Sequence, residues 1–235
     1  MSERLKKART VLNAVERQWL KKSSLSSSVF PLGIPDIDSH LGHGGIEVPA
    51  VHEIYGQIGH GGSGLFALKI ALSVLGKEAM LFLITPDRGG DHGELFTPAL
   101  HNIDAGQVMM ISPDKGKDTL WAFEECVASD QARVVIAEIP YLDLFTSRRL
   151  QLACEKGGCL ALALCQNSQG LSGSSAARTR WRVEGYQEAW SLELLGGRGV
   201  RPGHWMVEYH ATTSSLSLVS NLGDGSLPES EPQSR

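Results

Sequence analysis

The sequence predicts an α/β fold: a mostly parallel, doubly wound sheet with antiparallel strands at its C-terminal edge and a helix at its N-terminus. Three observations predict it. Strand-like and helix-like segments alternate four times in succession between residues 52 and 155. A glycine-rich turn joins the first of those strands to the first helix, where doubly wound sheets hold their ligands. Three late segments alternate apolar and polar side chains, as strands at a sheet edge do.

From the N-terminus, Leu5, Val11, Leu12, Val15, Trp19 and Leu20 recur near helical spacing among Lys, Arg and Glu, which predicts a helix over 4–22. A serine-rich linker follows, so residues 1–28 form a helix and linker ahead of a core over 29–222. The core opens through Pro31, Gly33 and Pro35 into the glycine cluster Gly42, Gly44 and Gly45. Strands are then expected at 52–55, 79–84, 107–111, 134–139 and 159–165, with helices at 64–75, 93–101, 117–129 and 143–155. After a Gly/Ser-rich loop at 168–175, the alternating segments 179–183, 190–194 and 205–209 are expected as antiparallel edge strands. Residues 223–235, rich in Ser, Pro and Glu without apolar period, read as a disordered tail.

Composition narrows the function classes. A chain of 235 residues with 42% hydrophobic content suits one sizeable core. The net charge of -4 provides no global basic field for nucleic acid or anionic membrane, so any DNA contact must be local or indirect. Cys126, Cys154, Cys159 and Cys165 form no C-x-x-C pair and are expected as reduced, buried thiols, with no metal site. No apolar run is long enough for a membrane span, and a cytoplasmic protein is expected.

The segment HEIYGQIGHGGSGLFALKIA places the glycine-rich turn where a phosphate-cradling loop would lie. A working loop reads G-x-x-x-x-G-K-[ST]: glycines let backbone N–H groups converge on phosphates, the lysine neutralises their charge, and the hydroxyl ligates magnesium. Gly56 and Gly61 hold the glycine positions and Ser63 the hydroxyl position, but Gly62 stands at the lysine position. Backbone dipoles alone would leave the transition-state charge without its main local stabiliser. Lys69 lies about two turns further along the helix, too far to substitute. The site reads as a vestigial nucleotide site with no catalytic residue and no required cofactor. Glu138, at the end of VVIAEI, takes either the place of a magnesium-holding carboxylate or that of a strand-end cap. Asp87, after LFLITP, is the nearest candidate base but one residue out of register. Phe96 either covers an adenine face or packs in the core.

Taken together, these segments resemble the RecA superfamily over nearly the whole folded chain. FPLGIPDIDSHLGHGGIEVPAVHEIYG is similar to the lead-in of the RecA core, and GELFTPAL through VVIAEI follows that core's order of helix, strand, loop, helix and Walker B strand. Within the superfamily, DTLWAFEECV, LDLFTSRRLQLACEKGG, SSAARTRWRVE and LGGRGVRPGHW resemble the ImuA family. That resemblance implies an accessory protein of a damage-inducible translesion-synthesis (mutagenesis) cassette in the SOS response. The implied partners are an ImuB-like polymerase scaffold, an error-prone replicative-type polymerase and RecA, with DNA met indirectly and nucleoid association on recruitment. A weak DNA-stimulated ATPase or nucleotide switch, and a cell-division inhibitor like SulA, are the alternatives.

The departures from RecA matter as much. The first DNA-binding loop is gone and the second is reduced to NSQGLSGSSAARTR, whose cations Arg178 and Arg180 are the DNA-contact candidates. The hairpin around Arg198 and Arg201 resembles the K-N-K-like segment that reaches a neighbour's nucleotide in RecA filaments, or is a solvated glycine turn. Leu12, Val15 and Trp19 on the N-terminal helix are candidates for a partner, or for packing on the chain's own core. Arg148 and Arg149 at a helix start are candidates for an acidic partner or an internal salt bridge.

Overall fold

The computed structural model describes residues 27–56, 62–86, 103–114, 116–166, 173–186, 189–210, 212–213 and 215–219. The helices expected at 4–22 and 93–101, with Leu12, Val15, Trp19 and Phe96, lie outside the described residues, as do Gly61, Asp87 and the C-terminal tail.

The lead-in is a small unit of its own. Strands β1 (Ser28–Phe30) and β2 (Ile46–Val48) pair antiparallel around a one-turn helix, α1 (Pro35–Asp38). Pro35 suits the first turn, where its missing N–H has no partner to lose, and the Asp38 carboxylate accepts from the N–H groups of Leu32 (2.8 Å) and Gly33 (3.0 Å). Leu32, Ile34, Ile37 and Leu41 seal this unit onto the core.

Among the described residues the central sheet has nine strands. In chain order the elements are β3 (Ala50–Gly56), α2 (Gly62–Val74), β4 (Met80–Ile84), β5 (Val108–Ile111), α3 (Gly116–Ala128) and β6 (Ala132–Ile139). They continue with α4 (Leu144–Gly157), β7 (Leu160–Cys165), β8 (Thr179–Tyr186), β9 (Ala189–Gly197), β10 (Gly203–His210) and β11 (Ser215–Leu218). The strand order across the sheet is β11-β10-β9-β8-β3-β7-β6-β4-β5. The large, mostly parallel sheet and the helices on it agree with the expected α/β class and are consistent with a RecA-like core.

One expectation is corrected. The segment at 179–183 is not an antiparallel edge strand: β8 runs parallel to β3, with Ile54 opposite Trp181, and the antiparallel part begins at its pairing with β9. Alternation in β8 reports burial of one face, since Trp181 and Val183 are buried while Arg180, Arg182 and Glu184 are not. It carries no information about strand direction.

Each sheet face has its own core. Ile54, Leu81, Leu83, Val134, Ile136, Leu160, Leu162 and Trp181 pack under α2. On the opposite face Val51, Tyr55, Val135, Ala137, Ala161 and Ala163 meet Phe123 and Val127 of α3 and Leu150 and Cys154 of α4. Helix α4 starts where the Asp143 carboxylate accepts from the Thr146 N–H (2.7 Å), which holds that carboxyl below its usual range. It stops at Gly158, whose left-handed backbone (φ 72) favours glycine. All four cysteines are free thiols; Cys126 is half-buried and the others are buried. Burial pushes the Cys159 thiol up to about 12, which keeps it unreactive. No helix among the described residues is long and apolar enough to cross a membrane.

Candidate phosphate-loop site

The glycine-rich turn sits where the chain leaves β3 at Gly56 and enters α2 at Gly62. Contact, rather than loop flexibility, explains Gly56. A Cβ there would lie 2.6 Å from Cβ of Ser63, 2.7 Å from its Oγ and 3.1 Å from the Val183 carbonyl oxygen. The Ser63 side chain is therefore seated directly on the end of β3.

Gly62 is different. A Cβ at this buried position would meet Val183 Cγ1 at 3.4 Å and the Trp190 Cδ1 and Nε1 atoms at 3.6 Å, all ordinary contacts. Any side chain here would start against the wall made by β8 and β9. Trp190 is held in that wall by stacking on Tyr209, with ring centroids 5.2 Å apart and planes 14° from parallel. Lys69 offers no replacement charge, since it lines a depression at the far end of α2 with Ser73, Lys77, Gln107 and Thr213.

Glu138 lies near the carboxyl end of β6, opposite Leu164 of β7. Two-residue alternation puts it on the same sheet face as Val134 and Ile136, the face that α2 covers. Its Oε2 accepts from the Gln166 side-chain amide at 3.3 Å. Gln166 is a residue that sequence reasoning did not select. The available signal was its place directly after β7, where its backbone N–H donates to the Ile139 carbonyl (3.1 Å) and fixes it beside the end of β6. Ser63, Glu138 and Gln166 are thus polar groups at the carboxyl end of the sheet.

Arg178 and Arg180 are placed elsewhere. Arg178 Nη2 pairs with Glu47 Oε2 at 2.9 Å, and Arg180 Nε with Oε2 of the fully buried Glu53 at 3.1 Å. Glu53 also accepts from the hydroxyls of Ser175 and Tyr55, the latter at 2.9 Å, and Arg180 donates on to the Gly173 carbonyl. Burial, with Cys165 and Glu53 nearby, raises the Tyr55 hydroxyl above its usual range, so it remains a donor. Both arginines spend their charge on carboxylates of the lead-in and β3.

Close to Arg178, a second polar chain is buried. The Trp181 indole N–H donates to Thr179 Oγ1 (2.7 Å), that hydroxyl meets His52 Nδ1 (2.7 Å), and His52 Nε2 meets the Glu47 carbonyl (3.0 Å). The chain is complete only if His52 is neutral, with its proton on Nε2. Burial accordingly lowers its pKa to about 4.

The remaining candidate cations divide. Arg201 donates to the Ser39 carbonyl (2.8 Å) and holds the β9–β10 hairpin on the lead-in, while Arg198 is exposed. Arg149 forms a salt bridge with Glu124 of α3, the internal alternative of the two weighed for it, and Arg148 is exposed on α4.

A mostly parallel α/β sheet, with a first βα turn that keeps the spacing of a phosphate loop but not its lysine, is an architecture consistent with a RecA-like core. No family model matches the chain. Over 234 aligned residues it is 26% identical to Protein ImuA of Caulobacter vibrioides strain NA1000 / CB15N, covering 86% of this chain and 93% of that protein. The same figures hold for Protein ImuA of strain ATCC 19089 / CIP 103742 / CB 15. This near full-length similarity supports membership of the ImuA family.

Proposed function

We propose that this chain is a non-catalytic, RecA-like accessory protein of a damage-inducible mutagenesis complex, acting through protein contacts. The observation that carries the reading is its similarity to Protein ImuA along 86% of its length. The loop chemistry supports the non-catalytic half: Gly62 stands at the lysine position and brings no charge to it. In this reading the RecA-like core spans 29–222. Its partners in this reading are an ImuB-like polymerase scaffold, an error-prone replicative-type polymerase and RecA. DNA is met through the assembly, since Arg178 and Arg180 are committed to Glu47 and Glu53.

The second reading, a nucleotide-binding switch, draws on Ser63 and Glu138 sharing the α2 side of the sheet end. Thermal unfolding with Mg-ATP and Mg-ADP separates the two. The accessory reading expects no shift in the wild type and co-purification with the scaffold. A stabilisation above about 1 kcal/mol at saturating nucleotide would overturn it in favour of the switch.

A further inference from the structure

We propose that the outer face of α3 and α4 is a twofold-symmetric interface between two copies of this chain. Isolated exposed apolar side chains are ordinary on a protein surface, but a cluster on one face is not. Here Trp121 of α3 is 66% exposed, Phe145 of α4 82% and Leu152 of α4 60%, and Tyr141 and Leu144 at the start of α4 are 48% and 44% exposed. The Arg149–Glu124 salt bridge ties the two helices together. Trp121 lies one turn before Glu124 and Phe145 one turn before Arg149, so the two aromatics stand level on the outward side.

The charges on this face say what covers it. The exposed stripe of α3 reads Asp118, Trp121, Glu125, an indole between two acids. The exposed stripe of α4 reads Phe145, Arg148, Leu152, a cation between two apolar groups. Among the described residues neither Arg148 nor Glu125 has an ion-pair partner. A nucleic-acid backbone would meet Asp118, Glu125 and Asp143 here, so phosphate is a poor occupant. A second copy is a good one, because a twofold interface requires each surface to carry both halves of the complement. With α3 of one copy laid antiparallel on α4 of the other, the Arg148 guanidinium covers the Trp121 indole and reaches an acid beside it. Phe145 and Leu152 then lose their exposure on either side, and the twofold makes every contact twice.

Sedimentation velocity on the full chain, up to tens of micromolar, tests this. The wild type is expected to move from one copy to two as concentration rises. Phe145→Asp and Arg148→Glu, both at exposed positions, are expected to leave a folded monomer by circular dichroism, with dimerisation weakened about tenfold or more. The charge swap Arg148→Glu with Asp118→Arg and Glu125→Arg is expected to recover the dimer. A wild type that remains monomeric, a dimer indifferent to Arg148→Glu and Phe145→Asp, or a swap that recovers nothing would overturn the proposal. A monomer that binds single-stranded DNA and loses it on Trp121→Ala would overturn it in favour of a base-stacking surface.

Discussion

The two ends of β3 have been treated differently. At its amino end and middle, His52 and Glu53 are buried with every polar group matched to a partner from β8, the lead-in or the loop before β8. At its carboxyl end, Gly56 meets a turn that keeps the close contact of a phosphate loop and lacks the loop's charge. The polar groups that hold the sheet to its lead-in are complete, whereas those that would act on a phosphate are not. This contrast is what the accessory reading proposed above expects, because a half-satisfied buried network destabilises the fold whereas a missing loop charge does not.

The largest effect should come from breaking the complete end. Arg180→Ala removes the cation from Glu53, a carboxylate with no exposure, and leaves it with two hydroxyl donors. Loss of one partner of a buried ion pair costs about 3 kcal/mol or more. Urea unfolding should show this as a lowered midpoint with unchanged slope. A loss below about 1 kcal/mol would mean that the pair behaves as a surface contact and that the contrast between the two ends of β3 is overstated.

That network also marks the limit of what the sequence revealed. Local period located most elements: helices expected at 117–129 and 143–155 are Gly116–Ala128 and Leu144–Gly157, and the strand expected at 134–139 is Ala132–Ile139. The empty lysine position was also visible, because loop spacing is local. The pairing of Arg178 with Glu47 and of Arg180 with Glu53 was not, since each joins residues more than a hundred positions apart, and a basic pair in a loop looks the same whether it faces solvent or a buried acid. The direction of β8 was hidden for a related reason, because alternation tells how many faces are covered and nothing about the neighbouring strand. Gln166 was overlooked because its position beside Glu138 follows from the parallel pairing of β6 with β7.

A smaller, pH-dependent effect sharpens the same contrast. The folded-state pKa of His52 is lowered to about 4 from an ordinary value of 6.5, so between those values the unfolded chain binds the extra proton and the folded chain does not. The contribution of neutral His52 is complete above about pH 6.5 and is lost progressively as the pH falls towards 4, on the order of 3 kcal/mol in all. Stability measured against pH should fall through that window in the wild type and less steeply in His52→Gln. Equal slopes would mean that His52 is protonated in the fold and that Nδ1 donates to the Thr179 hydroxyl instead of accepting from it, the donation from Nε2 to the Glu47 carbonyl being unchanged.

The smallest effects belong to the incomplete end, and there two neighbouring glycines should part company. Gly56→Ala drives a Cβ to 2.6 Å from Ser63 and to 3.1 Å from the Val183 backbone carbonyl, so strand or helix must shift, at a cost of about 1 to 3 kcal/mol. Gly62→Ala places its Cβ at 3.4 Å from Val183 and 3.6 Å from Trp190, contacts that need no adjustment, and removes backbone freedom from the unfolded chain. It should be neutral or stabilising by up to about 1 kcal/mol. Thermal melts of the two variants decide the point. If both are tolerated, the turn does not hold Ser63 against β3, and the spacing of the loop is a relic without structural use. If Gly56→Ala alone is destabilising, the first glycine serves the packing of Ser63 on β3, and the loop is part of the scaffold.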